Sequence, residues 1–131
     1  MRTHYRPQLT LPNSGLGIGT SVTALLAHGI ETTVVEIDPV VHEFAGRYFG
    51  LPSNHTPIIE DAVTFVATAR NQERRYRYII HDVFTGGAEP ASLFTADFIA
   101  GLRDLLTSDG VIAIVSSKSP LYLNYINIYY Y

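Results

Sequence analysis

The sequence predicts a doubly wound α/β domain built on a parallel sheet, and three observations carry that reading. Strand-like and helix-like segments alternate from residue 15 to residue 115. The strand-like runs at 30–37, 78–83 and 111–115 are rich in apolar and β-branched residues with little alternation, as expected of strands covered by helices on both faces. Gly15, Gly17 and Gly19 alternate just before the first helix-like segment, where such a fold turns from its first strand into its first helix. Crossovers between the parallel strands are expected to be right-handed.

Taken in order, the elements differ in quality. The approach to the glycines, Gln8-Leu9-Thr10-Leu11-Pro12, makes a poor central strand because Pro12 has no N–H to donate to a ladder. That strand is expected to be short or missing. Residues 21–28 read as a short helix stopped by Gly29, and residues 30–37 as a buried strand. Asp38 and Pro39 then start a helix, as N-cap and first-turn residue. Val40, Val41, Phe44, Ala45 and Tyr48 form its apolar stripe, and Gly50 ends it. Residues 57–60 read as a short strand, and 62–70 as a helix with Val63, Phe65, Val66 and Ala69 on one face. A strand at 78–83, a glycine-rich loop at 84–90 and a helix over 91–106 follow. Asp109-Gly110 makes a turn before the strand at 111–115.

The core is therefore assigned to residues 13–116, with 1–12 a poorly fitting amino-terminal segment and 117–131 a tyrosine-rich extension. The extension carries high β propensity and, from residue 119 on, no charge, so it reads as an added edge strand or an association-prone tail. A weak central strand leaves its neighbours' backbone groups unpaired, at about 1–3 kcal/mol for each buried group. Marginal stability, or dependence on a partner such as a second copy, is expected.

Composition sets the remaining bounds. The 131 residues suit one domain, long enough to bury roughly two-thirds of its unfolded surface. With 47% apolar and 16% charged residues the chain is expected to fold. A net charge of −3 gives no reason to expect nucleic acid. Glu73 interrupts the basic cluster of Arg70, Arg74, Arg75 and Arg77, which reads as a solvated helix end. Without cysteine there are no disulfides or thiolate metal sites. His4, His28, His42 and His55 show no metal-ligand spacing, so no metal site is expected. No apolar run approaches the ~20 residues of a membrane span, and residues 1–8 lack the apolar stretch of a signal peptide. A soluble, cytoplasmic protein is the expectation.

The candidate site begins at the glycines. Gly15, Gly17 and Gly19 are more than an ordinary turn requires, and together they let backbone approach a ligand closely. Glu36 closes the next strand roughly 20 residues on, the distance at which a carboxylate meets ribose hydroxyls; the bland alternative is a solvated strand end. A dinucleotide fingerprint wants glycine or alanine where Thr20 stands, so the loop is nearer one that holds the methionine part of S-adenosylmethionine. Asp38 is an N-cap first. Glu60-Asp61 ends the third strand, where Asp61 would take an adenine amino group or cap a helix, or both. Asp82, at the carboxyl end of the fourth strand beside the glycine loop, is placed to take a proton from an amine nucleophile. His81 alternates to the opposite side of that strand.

At this point the residues resemble a known family. Gly-Leu-Gly-Ile-Gly-Thr, Val-Val-Glu-Ile-Asp-Pro, Ile-Glu-Asp-Ala, Tyr-Ile-Ile-His-Asp-Val-Phe and Leu-Phe-Thr-Ala-Asp-Phe occur in the order found in spermidine synthase-like proteins. Those belong to the class I S-adenosylmethionine-dependent methyltransferase superfamily. The resemblance spans 15–115 and implies a Rossmann-like fold, truncated at both ends relative to the family. It also implies that S-adenosylmethionine or its decarboxylated form is the cofactor, with Glu36 the ribose-binding acid and Asp61 with Ala62 the adenine contact. Asp82 resembles the first aspartate of the family's Asp-x-x-Asp element, which deprotonates the attacking amine. Two family carboxylates are replaced: Ile18 stands where an aspartate holds the aminopropyl amine, and Thr85 where the second aspartate stands. Both replacements argue against polyamine synthesis. The expected function is alkyl or aminopropyl transfer to an amine or another nucleophile. The alternative is a non-catalytic relic that binds S-adenosyl compounds or a protein partner. A nicotinamide oxidoreductase ranks third.

Overall fold

The computed structural model describes residues 8–11, 19–72, 74–83, 90–116 and 125–130. Its six strands form one sheet in the spatial order β3 (Ile58–Ile59), β2 (Thr32–Glu36), β1 (Gln8–Leu11), β4 (Tyr76–Asp82), β5 (Leu106–Ser116) and β6 (Tyr125–Tyr130). Neighbours are parallel except β5 and β6. The order reverses between β1 and β4, which opens a crevice beyond the carboxyl ends of the strands at that point. The weak approach segment does form a strand: β1 is four residues long, sits at the centre, and pairs with both β2 and β4. Residues 125–130 take the edge-strand option, antiparallel to β5.

Helices cover the two faces. Over the β2 side lie α1 (Thr20–Ala27) and α2 (Pro39–Phe49), enclosing Val22, Val34, Ala45 and Leu51. Opposite them lie α3 (Ala62–Ala69), a 3-10 turn (Ala91–Phe94) and α4 (Ala96–Asp104). They close a larger core on Val35, Ile79, Val83, Ile112 and Ile114. Adjacent Val34 and Val35 thus enter different cores, the alternation that makes an interior strand apolar on both sides.

The helix signals act as expected in α2. The Asp38 carboxylate accepts from the Val40 N–H at 2.9 Å, Pro39 opens the first turn, and Gly50 ends the helix at φ 71°. Its stripe is narrower than the periodicity implies. Only Ala45 is buried, with Val41 packed partly against it, while Val40, Phe44 and Tyr48 are about half exposed or more. Helical spacing identifies an apolar arc, but the sheet beneath α2 covers only the side of that arc that Ala45 occupies. In α3, likewise, Phe65, Val66 and Ala69 are buried while Val63 is exposed.

Two further expectations need correction. The helix expected over 91–106 is broken at Thr95, which is extended and whose hydroxyl accepts from the Phe98 N–H at 3.1 Å. A threonine cap of this kind is worth about 1 kcal/mol, enough to separate the 3-10 turn from α4. The last strand starts earlier than residue 111, because Leu106 pairs with Tyr76 while Val111 pairs with Tyr78. Residues 107–110 bulge between those pairs, with the Thr107 hydroxyl donating to Asp109 at 2.9 Å. Gly110 belongs in that bulge because a Cβ there would meet Leu106 at 2.9 Å.

Candidate functional site

Gly19 is the described member of the glycine series; Gly15 and Gly17 lie outside the described residues. It precedes α1 at φ 79°, a left-handed conformation that favours glycine. A Cβ at Gly19 would also meet Leu51 Cδ1 at 3.2 Å and Ala45 Cβ at 3.6 Å. This glycine therefore has a packing reason as well as a conformational one: it lets the amino end of α1 settle against α2. The first-turn N–H groups of α1 have no partner within the helix.

Glu36 ends β2 with no solvent exposure, so the solvated strand end is not what the fold builds. Its Oε1 accepts from the Asp38 N–H at 2.9 Å, and its main-chain carbonyl accepts from the Glu60 N–H at 3.1 Å. The first contact fixes the carboxylate and the second fixes the end of β3 beside it. Ile37, the next residue, is 48% exposed. A fixed acceptor next to an exposed apolar side chain is the mixed lining that ligand sites use. Sequence reasoning did not single out Ile37; its signal was an apolar residue immediately after the strand-closing acid.

Asp61 is an N-cap. Its Oδ1 accepts from the Val63 and Thr64 N–H groups at 3.0 and 3.1 Å, and Ala62 behind it is buried. The cap holds the amino end of α3 beside Glu60, at the same end of the sheet as Glu36.

Asp82 is the last residue of β4, paired with Val115 of β5. It is half-buried, and burial raises its pKa above the ordinary carboxylate value. The registers place it relative to Glu36. Val34 pairs with Thr10, and His81 pairs with Leu11. Glu36 and Asp82 therefore both stand one step beyond Leu11, the last residue of β1. Alternation gives their direction: Val34 packs against the α1 and α2 layer, and His81 lies on the opposite layer, so Glu36 and Asp82 both face the α1 side. Thr85 and Ile18 lie outside the described residues.

His81 is fully buried against the other layer, where its Nε2–H donates to the Leu93 carbonyl at 2.9 Å. His55 is also buried, which lowers its pKa, with the Thr32 backbone opposing and neighbouring His42 adding to the shift. Among the described residues no group of three or more histidine, cysteine, aspartate or glutamate side chains could hold a metal ion. No helix among them is long and apolar enough to cross a membrane.

The family model described as the spermine/spermidine synthase domain matches residues 15–130. An N-terminal histidine N-methyltransferase of Emericella nidulans is 67% identical over 102 residues, covering 76% of this chain and 18% of that protein. A polyamine aminopropyltransferase of Vibrio vulnificus is 36% identical over 113 residues, covering 82% of this chain and 38% of that protein. The chain thus spans less than half the length of either curated relative. Among solved structures, human methyltransferase-like protein 13 in complex with SAH superposes with a TM-score of 0.75 at 23% identity, covering 88% of this chain and 56% of that one.

Proposed function

The chain belongs to the spermine/spermidine synthase domain family, and from that premise we propose that it serves methyl transfer from S-adenosylmethionine to a nitrogen nucleophile. The acceptor class we propose is the N-terminal histidine of a protein, the substrate in the name of the relative that is 67% identical to it. The observation that carries the reading is the placement of Glu36 and Asp82 on either side of β1, level with each other and facing the same layer. One acid is buried and held at a strand end; the other is half-buried with a raised pKa.

The residues present fit an S-adenosyl compound. Glu36, fixed by the Asp38 N–H, accepts from the ribose hydroxyls, and such charge-assisted bonds are roughly twice as strong as neutral ones. Ile37 offers apolar surface to the adenine, Asp61 and the main chain of Ala62 meet its edge, and the amino end of α1 lies toward the methionine part. When bound, the donor supplies a methyl group on a sulfonium that departs as a neutral thioether. Asp82 orients the acceptor nitrogen and takes the proton it loses on alkylation; a raised pKa makes its carboxylate a stronger base for that task. Alignment of nitrogen and methyl carbon then supplies most of the acceleration.

Methyl transfer is favoured over aminopropyl transfer because Ile18 and Thr85 stand where carboxylates would hold the cationic amines of a polyamine reaction. The non-catalytic alternative is less favoured, since the family's acids at Glu36 and Asp82 are both retained. The test is incubation of the full chain with methyl-labelled S-adenosylmethionine and two peptides, one beginning with histidine and one with that amine blocked. Label in the first peptide alone supports the reading. Label in neither peptide, with putrescine alkylated from the decarboxylated donor, would replace it with aminopropyl transfer.

A further inference from the structure

His81 occupies a position that the chemistry above does not use. Its ring is fully buried, lies 4.9 Å from the Phe94 ring and 5.6 Å from the Phe98 ring, and donates from Nε2 to the Leu93 carbonyl at 2.9 Å. Leu93 in turn closes the 3-10 turn by donating its N–H to the Pro90 carbonyl at 3.0 Å. Two residues later Thr95 caps α4. One imidazole therefore joins the end of β4 to the start of the helical layer beneath it.

The next residue along β4 is Asp82. Its main chain pairs with Val115 of β5, and among the described residues the β1 pairing reaches as far as Leu11 and His81. Strand ends are the parts of a sheet most prone to fray. The His81 bond to Leu93 restrains this end toward the helical layer. A leucine or phenylalanine would fill the same space without the desolvation cost of a polar ring. The histidine is explained by what it holds.

We infer that His81 is a positioning residue for Asp82: by tying the last residues of β4 to Leu93, it fixes the carboxylate that meets the acceptor. The inference rests on the proposed role of Asp82 in transfer. Its test compares His81→Gln, whose amide can still donate to Leu93, with His81→Phe, which keeps the aromatic packing and loses the donor. Hydrogen exchange of the full chain reads the anchoring directly. The amides of 82–83 and 93–98 are expected to exchange about tenfold faster in His81→Phe and at the wild-type rate in His81→Gln.

Kinetics read the consequence. In His81→Phe kcat is expected to fall about 10- to 100-fold, while the dissociation constant for S-adenosylmethionine stays within about twofold and His81→Gln restores most of the rate. In an Asp82→Asn background, His81→Phe should add less than about threefold, because residues acting through one group are not additive. Unchanged exchange in His81→Phe, full additivity with Asp82→Asn, or donor affinity falling as far as kcat would each overturn the inference. If His81→Phe does not fold, His81→Asn, too short to reach Leu93, replaces it with the same expectations. If the wild type methylates no acceptor, the proposed function fails, and the exchange comparison still decides whether His81 anchors β4.

Discussion

Glu36 and Asp82 stand level with each other across β1, each one step beyond its last residue, and both face the α1 layer. Two strand spacings put their backbones roughly 10 Å apart. In the proposed function the sugar of the nucleoside sits at Glu36 and its reactive end lies toward Asp82.

Asp82→Asn separates activity from stability. Burial raises the pKa of Asp82 above the ordinary carboxylate value. A raised carboxylate contributes stability that is full below the unfolded pKa and is lost as pH rises through the folded one. At neutral pH the ionised group is therefore a cost, screened in part because the side chain is only half-buried. Asp82→Asn should raise the melting temperature at pH 7.5, with the gain shrinking toward pH 4. Methyl transfer should fall by about 10²–10⁴-fold. A lower melting temperature at pH 7.5 with normal activity would contradict both statements.

His55 makes stability fall in mild acid. Burial lowers its pKa below 6.5, so the unfolded chain binds the proton more readily than the folded one. The stability this group contributes is present above pH 6.5 and is lost as pH falls through the folded value. Urea midpoints measured from pH 8 to pH 5 should decline below about pH 6.5, and the decline should be shallower in His55→Leu. Identical slopes in the two proteins would remove His55 as the cause.

The exposed side of α2 should tolerate polarity. Phe44 and Tyr48 are exposed while Ala45, beside them, is fully buried. Phe44→Glu is expected to change stability by no more than about 0.5 kcal/mol, whereas Ala45→Leu should cost about 1–3 kcal/mol through overpacking. Chemical denaturation of both variants checks this; a large loss in Phe44→Glu would mean that the surface is covered in the folded protein.

The parts of the fold legible in the sequence are those with local chemistry. Asp38, Pro39 and Gly50 fix the ends of α2 by capping, and Glu36 closes β2 at a recognisable distance from the glycines. β1 was hard to read because its four residues end beside Pro12, and its place depends on pairing with β2 and β4. The stripe on α2 misled because spacing defines an apolar arc, and only tertiary contact decides that Ala45 rather than Phe44 meets the sheet. Thr95 carried a cap signal inside an otherwise continuous helical pattern. At the site, the strand alternation separated His81 from Asp82, but the bond from His81 to Leu93 joins residues twelve apart and has no local signature.

The most direct test of the account is calorimetric titration of the full chain with S-adenosylmethionine, its decarboxylated form and NAD, repeated in Glu36→Gln. That substitution keeps an acceptor for the Asp38 N–H while removing the charge offered to ribose. The account predicts that S-adenosylmethionine binds best and that Glu36→Gln weakens it by about 1–3 kcal/mol. Equal affinity before and after the substitution, or tighter binding of NAD, would contradict it.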